Sequence, residues 1–96
     1  MCFAYILYSK KAKKFYYGHT CDELSERLRK HNARHSGYTG KFQDWQYVYE
    51  EEFQNRSEAF AREKAFKQMK DRRMIIKLID ASEHSGYNRK GPRFEP

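Results

Sequence analysis

Residues 3 to 8 (Phe3, Ala4, Tyr5, Ile6, Leu7, Tyr8) are apolar or aromatic without a break. They lack the two-residue alternation of a strand with one wet face, so the run predicts a central strand covered on both sides. After a stretch carrying Lys10, Lys11, Lys13 and Lys14, aromatics resume at Phe15, Tyr16 and Tyr17. This predicts a hairpin with a lysine-rich tip whose second strand ends at Gly18. Thr20 and Glu23 have capping-box spacing, so a helix is expected to begin near Cys21 or Asp22. Its Leu24 and Leu28 lie four apart, and Arg27 and His31, also four apart, run beside them on the same side of the cylinder.

Residues 32 to 44 hold two glycines and no periodic pattern, and read as the end of that helix and a loop. The Gly-Tyr-Thr-Gly-Lys-Phe string within it is not a phosphate loop: two residues separate the glycines where four are needed, and Phe42 stands where a magnesium-binding hydroxyl belongs. From Trp45 the chain alternates, with Trp45, Tyr47 and Tyr49 on one side and Gln46, Val48 and Glu50 on the other, which predicts a third, half-exposed strand. Asn55 and Glu58 then have capping-box spacing, followed by a stripe of Ala59, Phe60, Phe66 and Met69. A last helix over roughly 72 to 82 buries Ile75, Ile76, Leu78 and Ile79, and residues 81 to 96 read as an irregular tail because of their Gly and Pro. The expected fold is α+β in the order β-β-α-β-α-α: a small three-stranded antiparallel sheet flanked by helices, in a single domain with its core at about 3 to 80.

Ninety-six residues hold one modest core. Twenty Lys and Arg against thirteen Asp and Glu leave a formal charge of +7, which favours a polyanionic partner over a small neutral ligand. No segment approaches the roughly 18 apolar residues that span a bilayer. The N-terminus has no secretory pattern, and Cys2 and Cys21 are read as reduced thiols, so a cytoplasmic location is expected.

Glu63 does not fit a core. It lies three residues after Phe60 and three before Phe66, on the apolar side of its helix, where an unpaired carboxylate loses several kcal/mol of solvation. Either it sits at the edge of the stripe and pairs with Lys67 at i,i+4, or it needs a partner cation or metal ion. Arg27 and His31 read as a solvated helix flank, and Tyr5, Tyr16 and Tyr17 as core aromatics, unless they act together. Phosphodiester cleavage needs a base, a cation at the phosphate and a carboxylate for a metal, and the chain offers each. His31 and His35 have zinc spacing on a helix but lack a third ligand.

In this order the parts resemble the GIY-YIG nuclease family over about residues 3 to 80. Ala-Tyr-Ile-Leu stands at the first motif, where Phe3 and Ala4 occupy the Gly and Ile places and Tyr5 is retained, and Tyr-Tyr-Gly at the second retains Tyr16 and Gly18. Glu-Arg-Leu-Arg-Lys-His-Asn resembles the family helix, matching its Arg at Arg27 and its His at His31. The segment from Trp45 to Phe53 and the helix after it resemble the closing strand and helix of small stand-alone members, placing the metal-binding Glu at Glu63. A family asparagine is matched at Asn88, at a longer gap from Glu63 than the pattern has.

The resemblance implies endonucleolytic hydrolysis of nucleic acid, DNA foremost, with one divalent ion (Mg or Mn) on Glu63. Tyr5 is then the general base, Tyr16 positions the water or phosphate, Arg27 holds the phosphate, and His31 relays a proton or orients Tyr5. Lys10, Lys11, Lys13, Lys14, Arg29, Lys30 and Arg34 are the expected phosphate contacts, and Tyr38 or Trp45 a stacking ring for an unpaired base. Two rivals are a catalytically silent nucleic-acid-binding domain of this fold and a protein-interaction module.

Overall fold

The computed structural model describes residues 1–69 and 71–81; Asn88 and the expected irregular tail beyond Ala81 lie outside them. Strands β1 (Cys2–Ser9), β2 (Lys14–Thr20) and β3 (Gln46–Phe53) form an antiparallel sheet in the order β2-β1-β3, and helices α1 (Leu24–Asn32), α2 (Arg56–Gln68) and α3 (Arg72–Ala81) complete the expected β-β-α-β-α-α sequence. The unbroken apolar run is the central strand. Ala4, Ile6 and Tyr8 of β1 join Val48, Phe66, Ile75 and Ile79 in one cluster, and Tyr5 and Leu7 join Trp45, Leu24, Leu28 and Tyr47 in another. Because successive side chains of a strand point to opposite faces, β1 feeds two separate layers, one under α2 and α3 and one under α1.

The hairpin tip closes through Lys13, whose φ of 57° places it in the left-handed region and whose amide donates to the Ser9 carbonyl at 2.7 Å. Asp44 holds this tip from outside, accepting from the Ser9 hydroxyl at 2.6 Å and the Lys11 amide at 3.0 Å. Burial pushes its carboxyl up, but those hydrogen bonds together outweigh that effect and leave it below the usual range.

Four expectations are corrected. Phe3 pairs with Thr20, which brings the next residues outward, Cys2 and Cys21, face to face, and they form a disulfide with Cα atoms 4.0 Å apart. The reduced-thiol reading rested on compartment rather than strand register, and the support it gave to a cytoplasmic location goes with it. The Thr20–Glu23 capping box does not form: Thr20 still belongs to β2, its hydroxyl accepts from the Asp22 amide at 3.0 Å, and the helix starts only at Leu24 with Glu23 as N-cap.

The alternation of Trp45, Tyr47 and Tyr49 is broken by a β-bulge. Ile6 pairs with Tyr49 but Leu7 with Tyr47, leaving Val48 as the extra residue, so Tyr47 faces the α1 layer and Tyr49 the α2 layer. Phe60 is 42% exposed and packs its ring on His19 at 5.0 Å, because the inward line of α2 runs through Ala59, Glu63 and Phe66. The Asn55 cap does form, its side chain accepting from the Glu58 amide at 2.9 Å.

Candidate active site

The α1 face of the sheet carries its polar groups at depth. Tyr5, fully buried, projects from the middle of β1, and α1 lays Arg27 and His31 over it one helical turn apart. The Tyr5 hydroxyl is 2.8 Å from His31 Nε2 and accepts from Arg27 Nε at 3.3 Å. Gly18 lies opposite Tyr5 in the register, and a Cβ there would come within 2.6 Å of the Tyr5 hydroxyl oxygen. The glycine of the second tyrosine motif is therefore needed to make room for the first motif's tyrosine.

Tyr16 shares this face. Its ring lies 5.0 Å from His31 and is stacked 6.1 Å from Tyr38, which is 49% exposed, while Tyr17 packs on the other face with Phe66. Trp45, expected as a possible stacking surface, is 1% exposed; its indole N–H donates to the Thr39 carbonyl at 2.9 Å. Asn32 locks it further, its side chain exchanging two hydrogen bonds with the Trp45 backbone. Tyr38 is thus the more exposed of the two tyrosine rings that line this face's pocket.

Burial pushes the Tyr5 phenol up to about 12, and the hydrogen bond and charge of Arg27 offset only part of that. Glu63 adds to the rise through its charge. Burial, with the charge of Arg27, pushes His31 down to about 4, so at neutral pH its ring carries a single N–H.

Glu63 sits apart from this network. It is 8% exposed on the inward side of α2, with one carboxylate oxygen 2.6 Å from His19 Nδ1 and the other 2.6 Å from Lys67 Nζ. Both sequence readings hold in part: the i,i+4 partner is present, and the carboxylate is also buried. His19, on β2, was missed by the sequence reading because no helical spacing connects it to α2. Among the described residues no group of three His, Cys, Asp or Glu gathers to hold a metal. A lone carboxylate nonetheless suits magnesium, which keeps most of its ligands as water and phosphate oxygen. The Lys67 side chain that pairs with the carboxylate is 56% exposed.

An open pocket of about 440 Å³ borders the Tyr5 network, lined by Tyr16, Arg27, Arg29, Lys30, His31 and Tyr38 with parts of the 33–39 loop. Arg29 pairs with Glu26, and Lys10, Lys11, Lys13, Lys14 and Arg34 are exposed. His35 lies in the loop beyond α1 and not on the helix that zinc spacing assumed; it meets His31 only through Thr39.

The sequence profile of the GIY-YIG catalytic domain matches residues 1–75, most of the chain. The chain belongs to the GIY-YIG family. Comparison with curated proteins and with solved structures yields no significant match. Membership makes this a nuclease-type domain with a nucleic-acid substrate. No described helix of the GIY-YIG domain is long and apolar enough to cross a membrane.

Proposed function

We propose that this GIY-YIG domain is a divalent-metal-dependent endonuclease acting on DNA, with Tyr5, Tyr16, Arg27, His31 and Glu63 as its working residues. The observation that carries the reading is the Arg27–Tyr5–His31 contact set beside an open, cation-lined pocket. Arg27 reaches both the pocket and the Tyr5 hydroxyl, so a phosphate bound by the guanidinium is held next to a proton acceptor. Tyr5 takes the proton of the attacking water, His31 orients Tyr5, and Tyr16 walls the phosphate side. Glu63 would hold Mg or Mn, which when bound supplies charge to offset that of the scissile phosphate. Arg29 and Lys30 line the pocket and the exposed hairpin lysines extend the basic surface, giving phosphate contacts without sequence preference.

Ionising a phenol with a pKa of about 12 at pH 7 costs about 7 kcal/mol. That value already includes the hydrogen bond and charge of Arg27, and one further unit charge at about 5 Å would offset only about 3 kcal/mol. This shortfall favours a second reading, a silent DNA-binding domain in which Tyr5 stays protonated. Incubation with single-stranded, duplex and branched DNA, with and without magnesium, separates the two. Magnesium-dependent cutting that Glu63→Ala removes supports the enzyme, and salt-sensitive binding with no cut supports the silent domain. Normal cutting by Tyr5→Phe would overturn the base assignment.

A further inference from the structure

The Tyr5 hydroxyl stands at one end of a hydrogen-bond chain that continues past His31 into the loop after α1. His31 Nδ1 lies 2.9 Å from Thr39 Oγ1, Thr39 Oγ1 lies 3.1 Å from His35 Nε2, and the Gly37 amide donates to His35 Nδ1 at 3.0 Å. The loop is folded tightly around this chain: at Gly40 a Cβ would fall 2.0 Å from the His35 carbonyl oxygen, so no other residue closes the turn.

Both ends of the chain are fixed donors. A backbone amide and a guanidinium give protons and never accept them. With Gly37 donating to Nδ1, a neutral His35 must carry its proton on Nε2 and donate it to Thr39. Between the ends lie three hydrogen bonds, His35–Thr39, Thr39–His31 and His31–Tyr5. The four neutral groups that make them bring four protons, one each. One proton is left over, on the hydroxyl of Tyr5 (fully buried) or of Thr39 (3% exposed), and a buried donor without a partner is costly. If Tyr5 is ionised, three protons serve three bonds: His35 donates to Thr39, Thr39 to His31, and His31 Nε2 to the phenolate, which also accepts from Arg27. Among these four groups the phenol is the most acidic, so it is the one from which the surplus proton leaves most readily.

We infer that His35 and Thr39, anchored by the Gly37 amide, are positioning residues that fix the His31 tautomer with its proton on Nε2 and so favour Tyr5 as a phenolate. The purpose of this device rests on the nuclease reading, but its test does not. The other titratable or charged groups around Tyr5 are Tyr16 on β2, Tyr47 and Glu50 on β3, and Glu63 on α2, and none of them lies between Thr39 and His31.

The test places 3,5-difluorotyrosine, a phenol of markedly lower pKa, at position 5 of the full chain and follows its ionisation by ¹⁹F NMR in the absence of DNA. Thr39→Val keeps the shape of the side chain and removes the hydroxyl. The titration midpoint is expected to rise by about one pH unit, a tenfold loss of phenolate at fixed pH, with Thr39→Ser restoring the parent value. An unchanged or lower midpoint in Thr39→Val, or a serine variant that titrates like valine, overturns the inference. Where Thr39→Val does not fold, His35→Ala decides alone: a raised midpoint supports the chain and an unmoved one overturns it. Shifted midpoints in a protein that cuts no DNA would leave the network standing and remove the nuclease reading.

Discussion

The two faces of the sheet are built from the same strand yet hold together differently. Under α2 and α3, Ala4 and Ile6 meet Phe66, Ile75 and Ile79, all fully buried and all apolar. Under α1, Tyr5 is as deeply buried, but its neighbours are an imidazole, a guanidinium and a loop hydroxyl. The first face is stabilised by area removed from water, which tolerates small shifts. The second depends on hydrogen bonds whose loss leaves a buried polar atom unpaired. One layer therefore rests on apolar area and the other on a polar network, although the α2 side also buries the Glu63 carboxylate, and substitutions should separate the two.

The largest separation is expected from Tyr5→Phe. Loss of the proposed general base is expected to lower DNA cutting by about 10²- to 10⁴-fold, while unfolding loses only the about 1–3 kcal/mol of leaving His31 Nε2 and Arg27 Nε without their hydroxyl partner, read by nicking assay and by circular dichroism on the same preparation. Phe66→Ala should do the reverse, costing about 3–5 kcal/mol in urea unfolding with turnover per folded molecule unchanged. A Phe66 variant that is stable but inactive would collapse the distinction.

Acid acts on the α1 face. His31 titrates near 4 when folded against 6.5 for a free imidazole. Its neutral form thus contributes stability that is present above pH 6.5 and lost as pH falls from 6.5 through 4. The loss is about 3 kcal/mol and is read as the difference between the parent and His31→Gln in denaturant titrations across that range. Gly18→Ala should cost about 1–3 kcal/mol, since the new methyl meets the Tyr5 hydroxyl and pushes it off Arg27 and His31; cutting should fall with it. Smallest is Asn55→Ala on the α2 side, about 1 kcal/mol of unfolding free energy with no change in cutting.

Much of the fold was legible because its signals are local. The unbroken run from Phe3 to Tyr8 needed cover on both sides, Asn55 marked a helix start, and the spacing of Arg27 and His31 put both on one turn-related line. What escaped depends on contacts between distant segments. Thr39 and His35 sit in a loop without periodicity, so nothing in their spacing announced that they meet beneath α1. The disulfide follows from strand register, and the exposure of Phe60 from how α2 is rotated on the sheet. Trp45 read as exposed because its strand alternates, but Asn32 and the Thr39 carbonyl hold it inside.

The bulge at Val48 gives β3 two reading frames. Before it, odd-numbered positions belong to the α1 face, as Tyr47 does; after it, they belong to the α2 face, as Tyr49 does. A one-residue deletion at the bulge would restore plain pairing: Tyr47 and Tyr49 would become neighbours and still face opposite layers, so Tyr47 would keep tying α1 to the sheet through the Leu24 carbonyl. What would be lost is the Val48 side chain, buried in the same cluster as Phe66. The extra residue thus adds a core side chain to the apolar layer without moving the tyrosines on either side of it.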